Sequence, residues 1–238
     1  MADPAAILED DPRLAALAGG LPKPSSWHPG STSKVYLRRV ERITGRIERA
    51  AWLRLTLTPE IGPRTARTLL AAFGLPQAIF AAGREALSRH VPQPLAATLS
   101  GAVAAEVAGA VRAAERWLAL DEAHALVTLA DADYPPLLLA TADPPPLLFA
   151  AGRRELLQRP ALAIVGSRSA TQQGVANAEA FAQHLARAGL TIASGLALGI
   201  DAAAHRGALK ALDDGADAST IAVLGTGVDV VYPASNRA

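Results

Sequence analysis

The chain has 238 residues, half of them hydrophobic and 19% charged, a balance typical of globular rather than disordered proteins. Cysteine is absent, which excludes disulfides, thiol catalysis and thiolate metal sites. The formal net charge is only +1, so any nucleic-acid binding must come from local basic patches rather than from a bulk field.

The acidic start "MADPAAILEDDPRL" has neither the basic residues nor the apolar segment of a signal peptide. No uncharged apolar run approaches the roughly 18 residues needed to cross a bilayer. The expectation is a cytoplasmic protein with no membrane association. Residues 1–33, with "GGLPKPSSWHPGSTS", read as a disordered linker because they combine Gly, Pro and Ser without an apolar period.

Residues 34–122 read as a small all-helical domain. It opens with "KVYLRRVERITGRIERAAWLR", seven Lys or Arg against two Glu. Arg38, Arg42, Arg46 and Arg49 fall at helical spacing and would form one stripe, either a solvated face or a phosphate-contacting one. "TPEIGPRTARTLLAAFG" follows. Thr58 and Thr65 are candidate helix caps, Ile61-Gly62-Pro63 a tight turn, and Gly74 a helix stop. Ala66, Leu69, Leu70 and Phe73 would share one face. The pattern is a helix-hairpin-helix motif, whose turn amides can hold a DNA phosphate, or else an ordinary helical hairpin. A further amphipathic helix carries Val103, Val107, Val111 and Leu118.

Residues 123–160 read as a Pro-rich connecting segment holding a short strand at 125–129. The prolines at 135, 136, 144, 145 and 146 exclude long helices there. From 161 to 238 strand and helix alternate. Strands are expected at 162–165, 190–193 and 220–224, and helices at 174–188 and 201–211. Short uninterrupted apolar strands suit a parallel sheet covered on both faces. Each strand runs into Gly or Ser ("GSRS", "SGLALG", "GTGVD"), and right-handed crossovers bring all three loops to one sheet edge, where open α/β folds bind ligands.

Glycines there let a ligand approach the backbone, and helix N-termini favour anions. Ser167 and Ser194 add hydroxyls, and Arg168 a forked cation suited to phosphate. These features point to a phosphate-bearing ligand. The dinucleotide fingerprint and the Walker loop are both missing, so no NAD, ATP or other cofactor is expected. Asp201 and His205, one turn apart, are open to two readings: a general acid–base pair, or a loop brace in which Asp201 caps its helix. No nucleophile or metal-ligand set accompanies them, so neither a catalytic residue nor a metal is assigned.

In order and spacing, "WLRLTLTPEIGPRTARTLLAAFG", "DADYPPLLLATADPPPLLFAAG", "LAIVGSRSATQQG", "TIASGLALGIDAAAHRGAL" and "TIAVLGTGVDVVYPASN" together resemble the DprA/Smf family of bacterial DNA-processing proteins. The resemblance runs from about Trp52 to the last residues. It implies a SAM-type helical domain followed by the first part of a Rossmann-like α/β domain. It also implies a protein without catalytic activity that binds and protects single-stranded DNA during natural transformation, loads the RecA recombinase, and forms a homodimer when its Rossmann domain is full. The family's strand-binding pocket would map onto Gly166, Ser167, Arg168, Ser194, Gly195, Gly199, Gly225, Gly227, Asn236 and Arg237, with Asp201, His205 and Tyr232 supporting the loops. Tyr232 is also the best-placed aromatic for base stacking.

The chain departs from the family at Leu198 and Ala234, where many or some members carry a cation. Fewer cations imply weaker phosphate binding and a shallower salt dependence. A second departure is that the chain stops at Ala238, before the remaining strands of the family's Rossmann domain, so a C-terminally truncated member is expected. The competing reading is an enzyme, a nucleotide-processing phosphoribohydrolase of the LOG or lysine-decarboxylase-like group. Its P-G-G-x-G-T-x-x-E motif has no match here.

Overall fold

The computed structural model describes residues 45, 47–217, 219–227, 230, 233 and 234. The elements below belong essentially to one unit, Glu48–Ala238. The residues expected to be a linker, and Arg38, Arg42 and Arg46 of the basic stripe, lie outside the described residues, whereas Arg49 is exposed on a helix.

The helical part begins with α1 (residues 47–57) and α2 (Pro63–Phe73). Two expected caps are corrected here. Thr58 turns its hydroxyl back onto the Arg54 carbonyl (2.6 Å) and closes α1, and Thr65 lies inside α2. Helix α2 starts without a side-chain cap because Pro63 occupies its first turn, where the fixed φ suits a helix and no N–H is left orphaned. The turn between them is tight enough to put Glu60 at φ +68, and Gly74, at φ +82, ends α2 with its N–H on the Leu70 carbonyl. Then come α3 (Pro76–Ala81), α4 (Arg84–Leu87), α5 (Gln93–Ser100) and α6 (Ala105–Leu118). Leu55, Leu69, Ile79, Leu87, Leu95 and Leu99 form the core of this part. Among the described residues no single helix is long and apolar enough to cross a membrane.

The Pro-rich stretch is more than a connection. β1 (His124–Thr128) pairs antiparallel with β2 (Leu147–Ala151), Leu126 opposite Phe149. The short α7 (Pro136–Leu139) lies between them. β2 has no counterpart in the sequence reading, since the neighbouring prolines masked it. The prolines collect in the loop before it and leave Leu147, Leu148 and Phe149 free to pair. Trp52 and Leu53 of α1, Ala114 of α6, Leu126 and Leu147 make one core, so this ribbon is packed onto the helical part.

After a 3-10 turn (Arg154–Gln158) come β3 (Ala161–Ala163), α8 (Gln172–Arg187), β4 (Thr191–Ser194), α9 (Ile200–Asp213) and β5 (Ser219–Ala222). The strands are parallel in the order β3-β4-β5, with Ala161 beside Thr191 and Thr191 beside Ser219. This is the expected α/β class, a partial Rossmann-like sheet behind a small helical domain. Ile192 packs with alanines of both α8 and α9, so both helices cover one face. Adding strands in one direction with one hand of crossover puts both helices there. The expectation of two covered faces is therefore not met among the described residues: Val165 and Val223 are 69% and 66% exposed, and all of β3 is exposed.

Helices α8 and α9 meet through Ala178, Ala182 and Ala186 on one side and Ala204, Gly207, Ala208 and Ala211 on the other. A Cβ on Gly207 would stand 2.2 Å from the Glu179 carbonyl oxygen. Glu179 also pairs with Arg206 (3.2 Å) and Lys210 across the same seam.

Candidate nucleic-acid interface

The three loops leave the carboxyl ends of β3, β4 and β5, and the ladder continues briefly into them. Ile164 N–H donates to the Ala193 carbonyl (3.0 Å) and Val223 N–H to the Ser194 carbonyl (2.8 Å). The first two loops interlock. Gly199 has φ +79, and a Cβ on it would lie 2.2 Å from the Ser167 carbonyl oxygen. The same carbonyl accepts the Ile200 N–H at 3.2 Å. A side chain on Gly166 would meet Ile200 at 2.8 Å, and one on Gly195 would meet the Asp201 carboxylate at 2.9 Å. Gly166 and Gly199 are needed where they stand because the first loop touches the second and the start of α9.

Asp201 is buried in the first turn of α9, but it does not cap its own helix, whose start at Gly199 has no side-chain cap. Its Oδ1 accepts the N–H of Gly166 from the first loop (3.3 Å). A buried carboxylate between two loops holds them together, and the Gly166 amide that faces it offsets part of the cost of burial. His205, only 6% exposed, faces β5. The Thr220 hydroxyl donates to the Ile192 carbonyl (2.8 Å), so that oxygen accepts from Nδ1–H of His205 (2.7 Å). This fixes the neutral imidazole with its proton on Nδ1 and leaves Nε2 buried with no partner among the described residues. Burial pushes the His205 pKa below its usual range, opposed more weakly by the Asp201 charge and the Ser194 backbone. Asp201 and His205 share no hydrogen bond among the described residues. One grips the first loop and the other the third strand.

Not every expected ligand group is free. Ser194 is buried and its hydroxyl donates to the Ile164 carbonyl (2.7 Å), so it ties β4 to β3 instead of offering a donor to the edge. Ser167 is exposed, and its oxygen accepts the N–H of Ser169 (3.1 Å), leaving its proton available. No hydrogen bond within the described residues uses the N–H of Ser167 or Arg168. Arg168 is exposed and makes no ion pair there, whereas Arg159 pairs with Asp217 (3.1 Å) and Arg153 with Glu155 (2.7 Å). Gly225 and Gly227 are exposed at the start of the third loop, with open space around Gly225. Leu198 projects from the second loop, 52% exposed. Tyr232, Asn236 and Arg237 lie outside the described residues.

Sequence reasoning missed Thr220, which looks like one polar residue in a strand, and the Ile200 contact with Gly166. Both are tertiary neighbours with no sequence signal beyond residue type. Among the described residues no group of three or more His, Asp or Glu could hold a metal ion.

Comparison with known proteins agrees with this layout. The family model for DNA recombination-mediator protein A matches residues 125–238, and that for the DprA-like N-terminal HHH domain matches residues 46–109. DNA processing protein DprA of Streptococcus pneumoniae is 40% identical over 131 residues, 52% of this chain and 44% of the relative. Protein Smf of Synechocystis is 42% identical over 115 residues, 47% of this chain and 28% of the relative. The X-ray structure of DNA processing protein A from Streptococcus pneumoniae superposes with a TM-score of 0.51 at 31% identity, covering 78% of this chain and 60% of the solved one. The matched part of the chain thus spans less than half the length of both curated relatives.

Proposed function

We propose that this chain, which belongs to the DprA/Smf family of DNA-processing proteins, binds single-stranded DNA along the carboxyl edge of its parallel sheet without acting on it chemically. The observation that carries the reading is Arg168. It is an exposed guanidinium without an acidic partner among the described residues, beside two unused amides, on a loop that Asp201 and Gly199 hold in place. A fixed fork of N–H donors next to free backbone amides suits a phosphodiester, which offers several acceptor oxygens and one negative charge. Gly166, Gly195, Gly225 and Gly227 let the strand approach the backbone, and Ser167 adds a hydroxyl. Few aromatic side chains are available for stacking, so contacts go mainly to phosphates, with little sequence preference.

Binding is preferred to catalysis because Asp201 and His205 are each committed to a structural partner. In the whole protein this edge would protect incoming strands and present them to the RecA recombinase, in a cytoplasmic homodimer. Fluorescence anisotropy with labelled oligothymidine tests the reading. Arg168→Ala should weaken binding about tenfold, the size expected for a charge-assisted contact. Unchanged affinity in a folded variant removes the edge from the binding surface.

A further inference from the structure

The helical part holds a pair of arginines aimed at an anion, and the anion is the chain's own. Arg64 and Arg67 stand one turn apart near the start of α2. Both reach the carboxylate of Asp143, whose two oxygens divide between them: Arg64 to Oδ2 at 3.3 Å, Arg67 to Oδ1 at 3.6 Å. Arg67 also donates to the carbonyl of Ala142. One carboxylate between two guanidiniums has the charge and acceptor pattern of one phosphodiester.

Asp143 is not the only tie on its loop. Tyr134 donates its hydroxyl to the Pro145 carbonyl (2.8 Å), and Leu129 N–H donates to the Pro146 carbonyl (3.2 Å), so the Pro-rich loop has ties of its own beside the acid. The pair is also open to solvent: the Arg64 side chain is 82% exposed and that of Asp143 34%. Gly62 and Pro63, just before Arg64, are exposed as well, so a passing strand has access. An exposed ion pair of this kind is weak and exchangeable. The seam between α8 and α9 differs, because Glu179, also held by two cations, is only 20% exposed there and ties two helices together.

We propose that Arg64 and Arg67 are a second phosphodiester-binding point, separate from the sheet edge, at which Asp143 acts as a built-in competitor that a DNA backbone phosphate displaces. The inference takes its ligand from the proposed DNA-binding function, but it makes its own prediction. It also gives the helical hairpin a phosphate contact through side chains, where the sequence pattern alone pointed to turn amides.

The test uses the full chain and labelled oligothymidine, with affinity followed across a salt series. Asp143→Asn, which keeps the shape and removes the competing charge, should tighten binding about threefold at low salt. It should also steepen the salt dependence by about 0.7 per added phosphate contact. The gain should vanish when Arg64→Gln and Arg67→Gln are added, with the melting midpoint of all variants within a few degrees. Unchanged affinity and slope in Asp143→Asn overturns the proposal, and so does a gain that survives loss of both arginines. Arg168→Ala in the Asp143→Asn background separates the two sites. A gain from Asp143→Asn that persists while Arg168→Ala has no effect sinks the sheet-edge reading and keeps this one. Absence of binding by every variant sinks both.

Discussion

The helical and α/β parts of this molecule are held together in opposite ways. The helical part is packed with large side chains: Leu55, Leu69, Ile79, Leu87 and Leu99 are wholly or almost wholly buried. The α/β part is packed with alanine and glycine, which bring α8, α9 and the first two loops so close that backbone meets backbone. Volume stabilises the first, and the absence of volume permits the second. Individual arginines differ as well. Arg54, Arg64 and Arg67 are engaged within the helical part and its neighbouring loop, and Arg54 lies 3.9 Å over the Phe80 ring. Arg168 at the sheet edge has no acidic partner among the described residues. A phosphate would have to displace Asp143 to reach Arg64 and Arg67, whereas at Arg168 no acid among the described residues stands in its way.

Two substitutions of opposite sense probe this difference and carry the largest expected effects. Leu69→Ala removes buried volume and should cost about 3 kcal/mol, whereas Gly207→Ala adds one methyl against the Glu179 carbonyl and should cost about 2 kcal/mol. Urea unfolding monitored by circular dichroism measures both. If Gly207→Ala proved neutral, the close approach of α8 and α9 would be wrong, and with it the contrast.

Next in size is the loop brace. Asp201→Ala leaves the Gly166 amide without its acceptor and unties the first loop from α9. A loss of about 1–2 kcal/mol is expected, together with weaker oligothymidine binding, while Asp201→Asn, which keeps an acceptor oxygen, should recover most of the stability. Equal defects in the two variants would point to charge rather than to the hydrogen bond.

A smaller effect concerns pH. His205 is held neutral with a pKa below the usual 6.5, so the unfolded chain binds a proton that the folded chain refuses. Its contribution is therefore complete above the unfolded value and lost as pH falls from about 6.5 toward the lower folded value. Carboxylates such as Glu179, lowered by Lys210 and Arg206, lose their contribution only further down, in the acid range. Thermal melts of the wild type should thus fall between about pH 7 and 5, and His205→Asn should flatten that segment. An identical slope in both proteins would assign the titration to another group.

Much of this could be read in the sequence. The alternation of apolar strands with glycine-terminated helices marked the parallel sheet, and the run from Gly166 to Arg168 marked the loop at its carboxyl edge. The helix after Gly199 was visible too, although it starts at Ile200 and ends at Asp213, past the limit its apolar spacing suggested. What could not be read was pairing across distance. β2 was hidden by its flanking prolines, the start of α2 at Pro63 was obscured by two threonines that looked like caps, and the sequence offered Asp201 only its own helix start as a place to brace, because its partner, Gly166, lies 35 residues earlier. Local propensity and periodicity describe elements. They say nothing of which amide a buried carboxylate will meet, and the link between Thr220 and His205 is invisible for the same reason.

The central claim is that the braced edge around Arg168 recognises a single strand through its phosphates. The most direct test is to compare the salt dependence of binding to a single-stranded and a double-stranded oligonucleotide, for the wild type and for Arg168→Ala. The account predicts tighter binding to the single strand, and a slope shallower by about 0.7 when Arg168 is removed. Equal affinity for both forms, or a slope that Arg168→Ala leaves unchanged, would contradict it.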